Sequence, residues 1–222
     1  MRKGKLIVVE GACDGIGKST QFQLLNDRLI RECYKVYNHH FPTYGTTQGY
    51  LVEEYLKGNL GKKEELSPYL IHMLYAADRK ITWDEELKSQ YVSGKIILLD
   101  RYTTSSIIYQ AALIGDIEER KKFINYVIDY EYNKLGIKEP DKTIFLSADF
   151  DVVTNLRKRR KANDGIENDI HERDIEFMKK VYDNAIFCAK YLGWDIVNCS
   201  DKEKMKSIEE IHEEVYKLVK KR

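Results

Sequence analysis

The residues whose types and spacing carry chemistry begin at Gly11. The stretch Gly11-Ala12-Cys13-Asp14-Gly15-Ile16-Gly17-Lys18-Ser19-Thr20 follows the apolar run Leu6-Ile7-Val8-Val9 and opens a segment with helical spacing. A glycine-rich turn between a buried strand and a helix start aims several backbone N–H groups at one point, where the helix dipole favours an anion. Gly11, Gly15 and Gly17 let the backbone approach phosphate oxygens. Lys18 reaches the outer phosphates of a nucleotide such as ATP, and the Ser19 hydroxyl suits Mg²⁺. The strict spacing G-x-x-x-x-G-K-[ST] is not met from Gly11, because five residues separate it from Gly17. Either the loop is one residue longer, or Ala12 stands in its first position.

Three further segments fit the same chemistry. Asp100 ends the apolar run Ile96-Ile97-Leu98-Leu99, where a carboxylate can hold the Mg²⁺ water shell, and Arg101 follows with a fork that matches phosphate. Tyr75 and Arg79 stand four apart and share a helix face, one a flat platform for a base, the other a cation for a base oxygen or phosphate. The same spacing also suits Tyr75 as a core aromatic in Met73-Leu74-Tyr75-Ala76-Ala77. Arg157-Lys158-Arg159-Arg160-Lys161 is either a solvated helix end or a basic lid that closes on a transferring phosphoryl group.

These residues need elements to position them. Leu6–Val9, Ile96–Leu99, Thr143–Leu146 and the short Tyr34–Asn38 and Ile196–Val197 read as strands. Lys18–Glu32, Gln48–Leu60, Ser67 towards Tyr91, Thr104–Leu113, Glu118–Lys134, Asp151–Arg160, Ile175–Leu192 and the stretch from Ile208 read as helices. Strands apolar on both faces and separated by helices predict an α/β three-layer sandwich, a five-stranded parallel sheet with helices on both faces. Ligands of such sheets bind at the carboxyl ends of the strands, where the Gly11 loop, the Phe41-Pro42 turn and Asp100-Arg101 all fall.

At 222 residues the chain suits one domain, 1–222, with the lid at about 157–172. Lysine plus arginine number 37 and aspartate plus glutamate 36, which argues against a dedicated nucleic-acid binder. The four cysteines form no CxxC and no metal-ligand cluster, so reduced thiols in a cytoplasmic protein are expected. No apolar run reaches the length of a membrane helix or a signal peptide, and no membrane partner is expected. A switch GTPase is disfavoured: Asn133-Lys134-Leu135-Gly136 lacks the aspartate that reads guanine.

Glu10-Gly11, Asp14-Gly15-Ile16-Gly17-Lys18-Ser19-Thr20-Gln21, Phe41-Pro42, Tyr75-Ala76-Ala77-Asp78-Arg79, Asp100-Arg101-Tyr102 with Ser105-Ser106 and Tyr109, and Pro140-Asp141 before a strand occur in that order. Together they resemble the thymidylate kinase family of P-loop nucleoside monophosphate kinases, in the branch whose catalytic arginine comes from the lid. The resemblance implies an ATP- and Mg²⁺-dependent conversion of dTMP to dTDP, by a protein that forms homodimers. It implies Asp14 near the deoxyribose 3′-hydroxyl, Tyr75 stacked on thymine, Arg79 on its carbonyl, Ser106 as a polar contact to the base, and Tyr109 against a ribose 2′-hydroxyl. Phe41 would line the same site, Arg101 would hold the acceptor phosphate, and Arg157 or Arg160 would come from the lid. The chain departs from the family's pattern at Thr43-Tyr44, where members often carry an arginine or acid. Two rival readings remain: a deoxynucleoside kinase, or a nucleotide-binding protein without turnover.

Overall fold

The computed structural model describes residues 3–13, 15–61, 65–156, 175–201 and 204–221. Its centre is β1, Lys5–Gly11, whose residues from Leu6 onward are all buried. β3 (Ile96–Asp100) and β4 (Lys142–Ser147) pair with it on either side, β2 (Val36–His40) flanks β3, and β5 (Asp195–Asn198) flanks β4. The sheet order is β2-β3-β1-β4-β5 and every pairing within it is parallel, as the sequence predicts.

The doubly apolar strands follow from what covers them. Leu6, Val8, Ile97 and Leu99 point to one face, into a cluster with Phe41, Trp83, Leu87 and Tyr102. Ile7, Val9 and Leu98 point to the other, against Leu25, Leu29, Val215 and Val219. Side chains alternate across a strand, so both sets must be apolar to sit under helices. Each such side chain taken from water contributes ~1.5–3 kcal/mol.

The helices are α1 (Lys18–Arg31), α2 (Tyr50–Lys57), α3 (Pro68–Thr82), α4 (Lys88–Val92), α5 (Thr103–Tyr109), α6 (Ile117–Ile128), α7 (described over residues 150–156), α8 (Ile175–Tyr191) and α9 (Ile208–Lys220). Ser67 caps α3 by accepting from the Tyr69 N–H, with Pro68 in the first turn. A capping box of Ser207 and Glu210 starts α9.

Several boundaries differ from expectation. The second strand begins at Val36 and runs to His40, because the cap of α1 extends through Tyr34: its N–H donates to the Leu29 carbonyl, and Cys33 is left-handed at φ 64°. The helix predicted over Thr104–Leu113 is α5 plus a 3₁₀ turn at Ala111–Leu113. π-helical turns at Trp83–Leu87 and Asp129–Lys134 follow α3 and α6, and a small antiparallel ribbon pairs Ser200–Asp201 with Lys204–Met205. The expected lid at about 157–172, with Arg157 and Arg160, lies outside the described residues, as does Asp14.

Candidate active site

β1 extends through Gly11, which pairs with Leu146 of β4. Six loop residues, Ala12 to Gly17, then lead to α1. That is the count of the strict phosphate-loop pattern, with alanine in its first place. Gly17 caps α1 in the left-handed region at φ 92°, a conformation that glycine adopts without penalty. Among the described residues no side chain caps α1 and its first turn carries no acid, so its N–H groups are open to an anion. Ser19 and Thr20 are exposed there.

The parallel register brings three strand ends together. His40 of β2 pairs with Asp100 of β3, and Asp100 pairs in turn with Val9 of β1. Lys18 Nζ makes an ion pair with Asp100 Oδ1, and His40 Nδ1 lies 3.2 Å from Asp100 Oδ2. Burial works against a charge on Asp100, but the contacts with His40 and Lys18 outweigh it and bring its pKa down to about 2. Asp100 is therefore an ionised carboxylate beside the phosphate loop at any physiological pH.

After Asp100 the chain turns sharply. Arg101 is left-handed at φ 67°, uncommon for a side chain of this size. Its guanidinium carbon lies 5.4 Å from the centre of the Tyr109 ring. Phe41 is buried against Tyr102, with ring centroids 5.9 Å apart, and the Phe41–Pro42 peptide is cis. The Thr43 N–H donates to Asp78 Oδ2 at 2.8 Å, which ties this turn to α3.

Phe41, Tyr75, Arg79, Arg101, Ser106 and Tyr109 line one cavity of about 550 Å³ including its open mouth. Six of the seven residues expected to bind substrate are thus brought together, from β2's end, α3, β3's end and α5; the seventh, Asp14, lies outside the described residues. Tyr75 lines this cavity, half-buried, with its ring edge to Tyr55 at 6.3 Å. Pro42, Tyr44, Leu56, Tyr102, Ser105 and Gln110 complete the wall, and none of them had been given a binding role from sequence.

Arg79 is fully buried. Its Nε and Nη2 donate to the two carboxylate oxygens of Glu131 at 2.7 and 2.6 Å, and Nη2 also donates to Ser106 Oγ at 2.8 Å. Burial would lower the pKa of Arg79, but Glu131 holds it raised. Glu131 lies 52 residues away in sequence, and no spacing signal points to it. Glu10 was also missed as a site residue. At the end of β1 it accepts from Thr104 Oγ1 at 3.0 Å and Ser105 Oγ at 2.5 Å, and so anchors the start of α5.

His72 sits behind Arg79, fully buried among Phe123, Tyr126 and Tyr130. Burial, with the Arg79 charge nearby, pushes its pKa down to about 3. Glu131 Oε1 lies 3.6 Å from its Nδ1, but that carboxylate is already paired with Arg79. The ring is therefore neutral in the fold, whereas the unfolded chain takes up a proton near pH 6.5. The unfolded state binds more protons between those values, so stability falls as pH drops from about 6.5 towards 3, by up to ~1.4 kcal/mol per unit for this group. Urea unfolding at pH 7 and pH 5 is expected to show a smaller acid loss in His72→Phe than in the wild type. Equal losses would contradict the assignment.

A phosphate loop at the end of the first strand of a parallel sheet, a carboxylate at the next strand's end and an aromatic-cationic cavity beside them define a P-loop nucleotide-binding protein of the three-layer α/β class. A sequence profile described as thymidylate kinase matches residues 9–215. The chain is 34% identical over 187 residues to a thymidylate kinase of Exiguobacterium sibiricum, covering 84% of this chain and 81% of that one. It is 32% identical over 219 residues to a thymidylate kinase of a Thermoanaerobacter species, covering 99% and 98%. The solved thymidylate kinase of Candida albicans superposes with a TM-score of 0.73 at 25% identity, over 98% of this chain and 91% of that one. The chain belongs to the thymidylate kinase family.

Proposed function

We infer that the chain transfers the γ-phosphoryl group of ATP to the phosphate of dTMP, giving ADP and dTDP. The observation that carries this reading is the meeting of Phe41, Tyr75, Arg79, Arg101, Ser106 and Tyr109 in one cavity beside the phosphate loop. Family membership supplies the substrates. Such transfer needs positioning and charge neutralisation more than covalent chemistry.

In this reading Gly11, Gly15, Gly17, Ser19 and Thr20 belong to the turn that cradles the ATP phosphates, and Lys18 leaves Asp100 for the outer phosphates. Arg101 takes the acceptor phosphate in its fork, Tyr75 stacks on thymine, and Arg79 and Ser106 face its polar edge. Tyr109 crowds the position of a ribose 2′-hydroxyl, and Asp14 meets the 3′-hydroxyl. Among the described residues no group of three or more His, Cys, Asp and Glu could hold a metal ion alone. An ionised Asp100 and the exposed Ser19 hydroxyl are hard oxygen donors of the kind Mg²⁺ takes together with nucleotide phosphates, and they would hold it here. When bound, the ion supplies positive charge against the phosphoryl oxygens.

The reading includes one domain over 1–222, with Arg157 or Arg160 delivered from a lid at about 157–172. A homodimer is supported by the α3 stripe of Leu70, Met73 and Ile81, exposed by 46, 47 and 41% on one helix face. A reducing, cytoplasmic setting is supported by four cysteines that form no CxxC motif. No helix among the described residues is long and apolar enough to cross a membrane.

A coupled ADP-release assay tests the function. With ATP and Mg²⁺, dTMP is expected to support turnover at least ~10-fold better than its ribose counterpart or dCMP, since an unpaired polar group in a buried site costs more than 1 kcal/mol. Turnover of thymidine and not of dTMP would make the protein a nucleoside kinase instead.

A further inference from the structure

The buried pair behind the cavity has a shape that bears on which base the site accepts. Glu131 occupies the π-helical turn Asp129–Lys134, where an extra residue per turn rotates the helix face, and its carboxylate is fully buried. It accepts from Arg79 Nε at 2.7 Å and Nη2 at 2.6 Å, and from Thr103 Oγ1 at 2.9 Å. Ser106 Oγ takes a second Nη2 hydrogen at 2.8 Å. Among the described residues the partner of Nη1 is the Tyr102 carbonyl at 3.5 Å, a long contact that engages at most one of its two hydrogens.

A guanidinium held along its Nε–Nη2 edge cannot rotate in its plane. The edge left for the cavity is Nη1, and an arginine N–H only donates. Nη1 therefore presents a donor to the cavity, beside the Ser106 hydroxyl and the Gln110 side chain that also line it. Glu131, whose oxygens would otherwise attract an amino group, is masked behind the arginine it holds.

We propose that Glu131 is a specificity-determining positioning residue: by clamping Arg79 it presents Nη1 to the pyrimidine, which selects a ring carbonyl over a ring amino group at the same place. Thr103 supports the clamp through its hydrogen bond to Oε2. This inference rests on the dTMP kinase reading and goes beyond it by naming a residue that touches no substrate.

The experiment compares dTMP with 5-methyl-dCMP, which carry the same methyl group and differ at the carbonyl or amino position and the adjoining ring nitrogen. The ratio of their kcat/KM values is the readout, with KM for ATP measured alongside. Glu131→Gln is expected to lower the ratio at least ~10-fold with KM for ATP unchanged, since a carboxamide places an N–H against Nη2 and releases the arginine. In an Arg79→Met background the same substitution is expected to change the ratio less than twofold, because the clamp then holds nothing. Breaking a buried pair can unfold a protein. Thr103→Val removes one hydrogen bond and leaves the pair, and it is expected to lower the ratio about threefold. An unchanged ratio in folded Glu131→Gln would overturn the proposal, as would an equal fall in the Arg79→Met background. If Glu131→Gln does not fold, an unchanged ratio in Thr103→Val overturns it. A wild type that turns over neither nucleotide would instead sink the kinase reading itself.

Discussion

Lys18→Ala is expected to abolish dTMP-dependent ADP formation, with kcat/KM falling at least ~10³-fold, while the protein stays folded. Lys18 is the charged side chain on the first turn of α1, beside the open N–H groups, and its ammonium already rests at Asp100 where the outer phosphates would lie. No other lysine in β1, α1 or the ends of β2 and β3 stands at that point. The fold should survive because Asp100 keeps its His40 contact at 3.2 Å. Asp100 would titrate at a higher pH once the Lys18 charge is gone, since that charge helps to hold its pKa at about 2. A carboxylate with a lowered folded pKa stabilises the protein above about pH 4 and loses that contribution as pH falls towards 2, so the variant should lose less stability on acidification. Near-full turnover in Lys18→Ala would refute the role of the phosphate loop.

Arg101→Gly is expected to separate activity from stability. The arginine occupies a left-handed backbone at φ 67°, which costs an L-residue ~1–2 kcal/mol and costs glycine almost nothing. Glycine gives back part of that gain through the greater freedom of the unfolded chain, and the contact with Tyr109 is lost. The variant should therefore be within ~1 kcal/mol of wild-type stability. Its kcat/KM for dTMP should fall ~10²–10³-fold, because the cation that meets the acceptor phosphate is gone. A residue kept in a strained conformation, whose loss leaves the fold intact and the reaction impaired, is held there by function. Unchanged kcat/KM would place the acceptor phosphate elsewhere.

What the sequence made legible was local. The run Leu6–Val9, the glycines after it and the period of Phe22, Leu25 and Leu29 lie within one βα unit, so strand, turn and helix each carry their own signal. Asp100-Arg101 was legible because a four-residue apolar run ends at it. Tyr75 and Arg79 were paired by helical spacing, and both line the cavity. The arrangement around them was less visible. His39 and His40 look like poor strand residues, yet they pair with Leu99 and Asp100, and that pairing sets His40 on the carboxylate. Glu131 is invisible for a related reason: its partner lies 52 residues away, and the π-helical turn that aims it inward has no sequence period. The interrupted helix after Thr103 reads from sequence as one helix because apolar spacing continues through Ala111 and Leu113.

A thymidylate kinase takes the phosphate of a thymidine nucleotide, and not a nucleoside hydroxyl, as its acceptor. Incubation with ATP labelled at the γ-phosphate, in a mixture of dTMP and thymidine, tests it most directly. The label is expected in the β-phosphate of dTDP, matched one for one by ADP. Label in newly made dTMP, or released as inorganic phosphate, would contradict it.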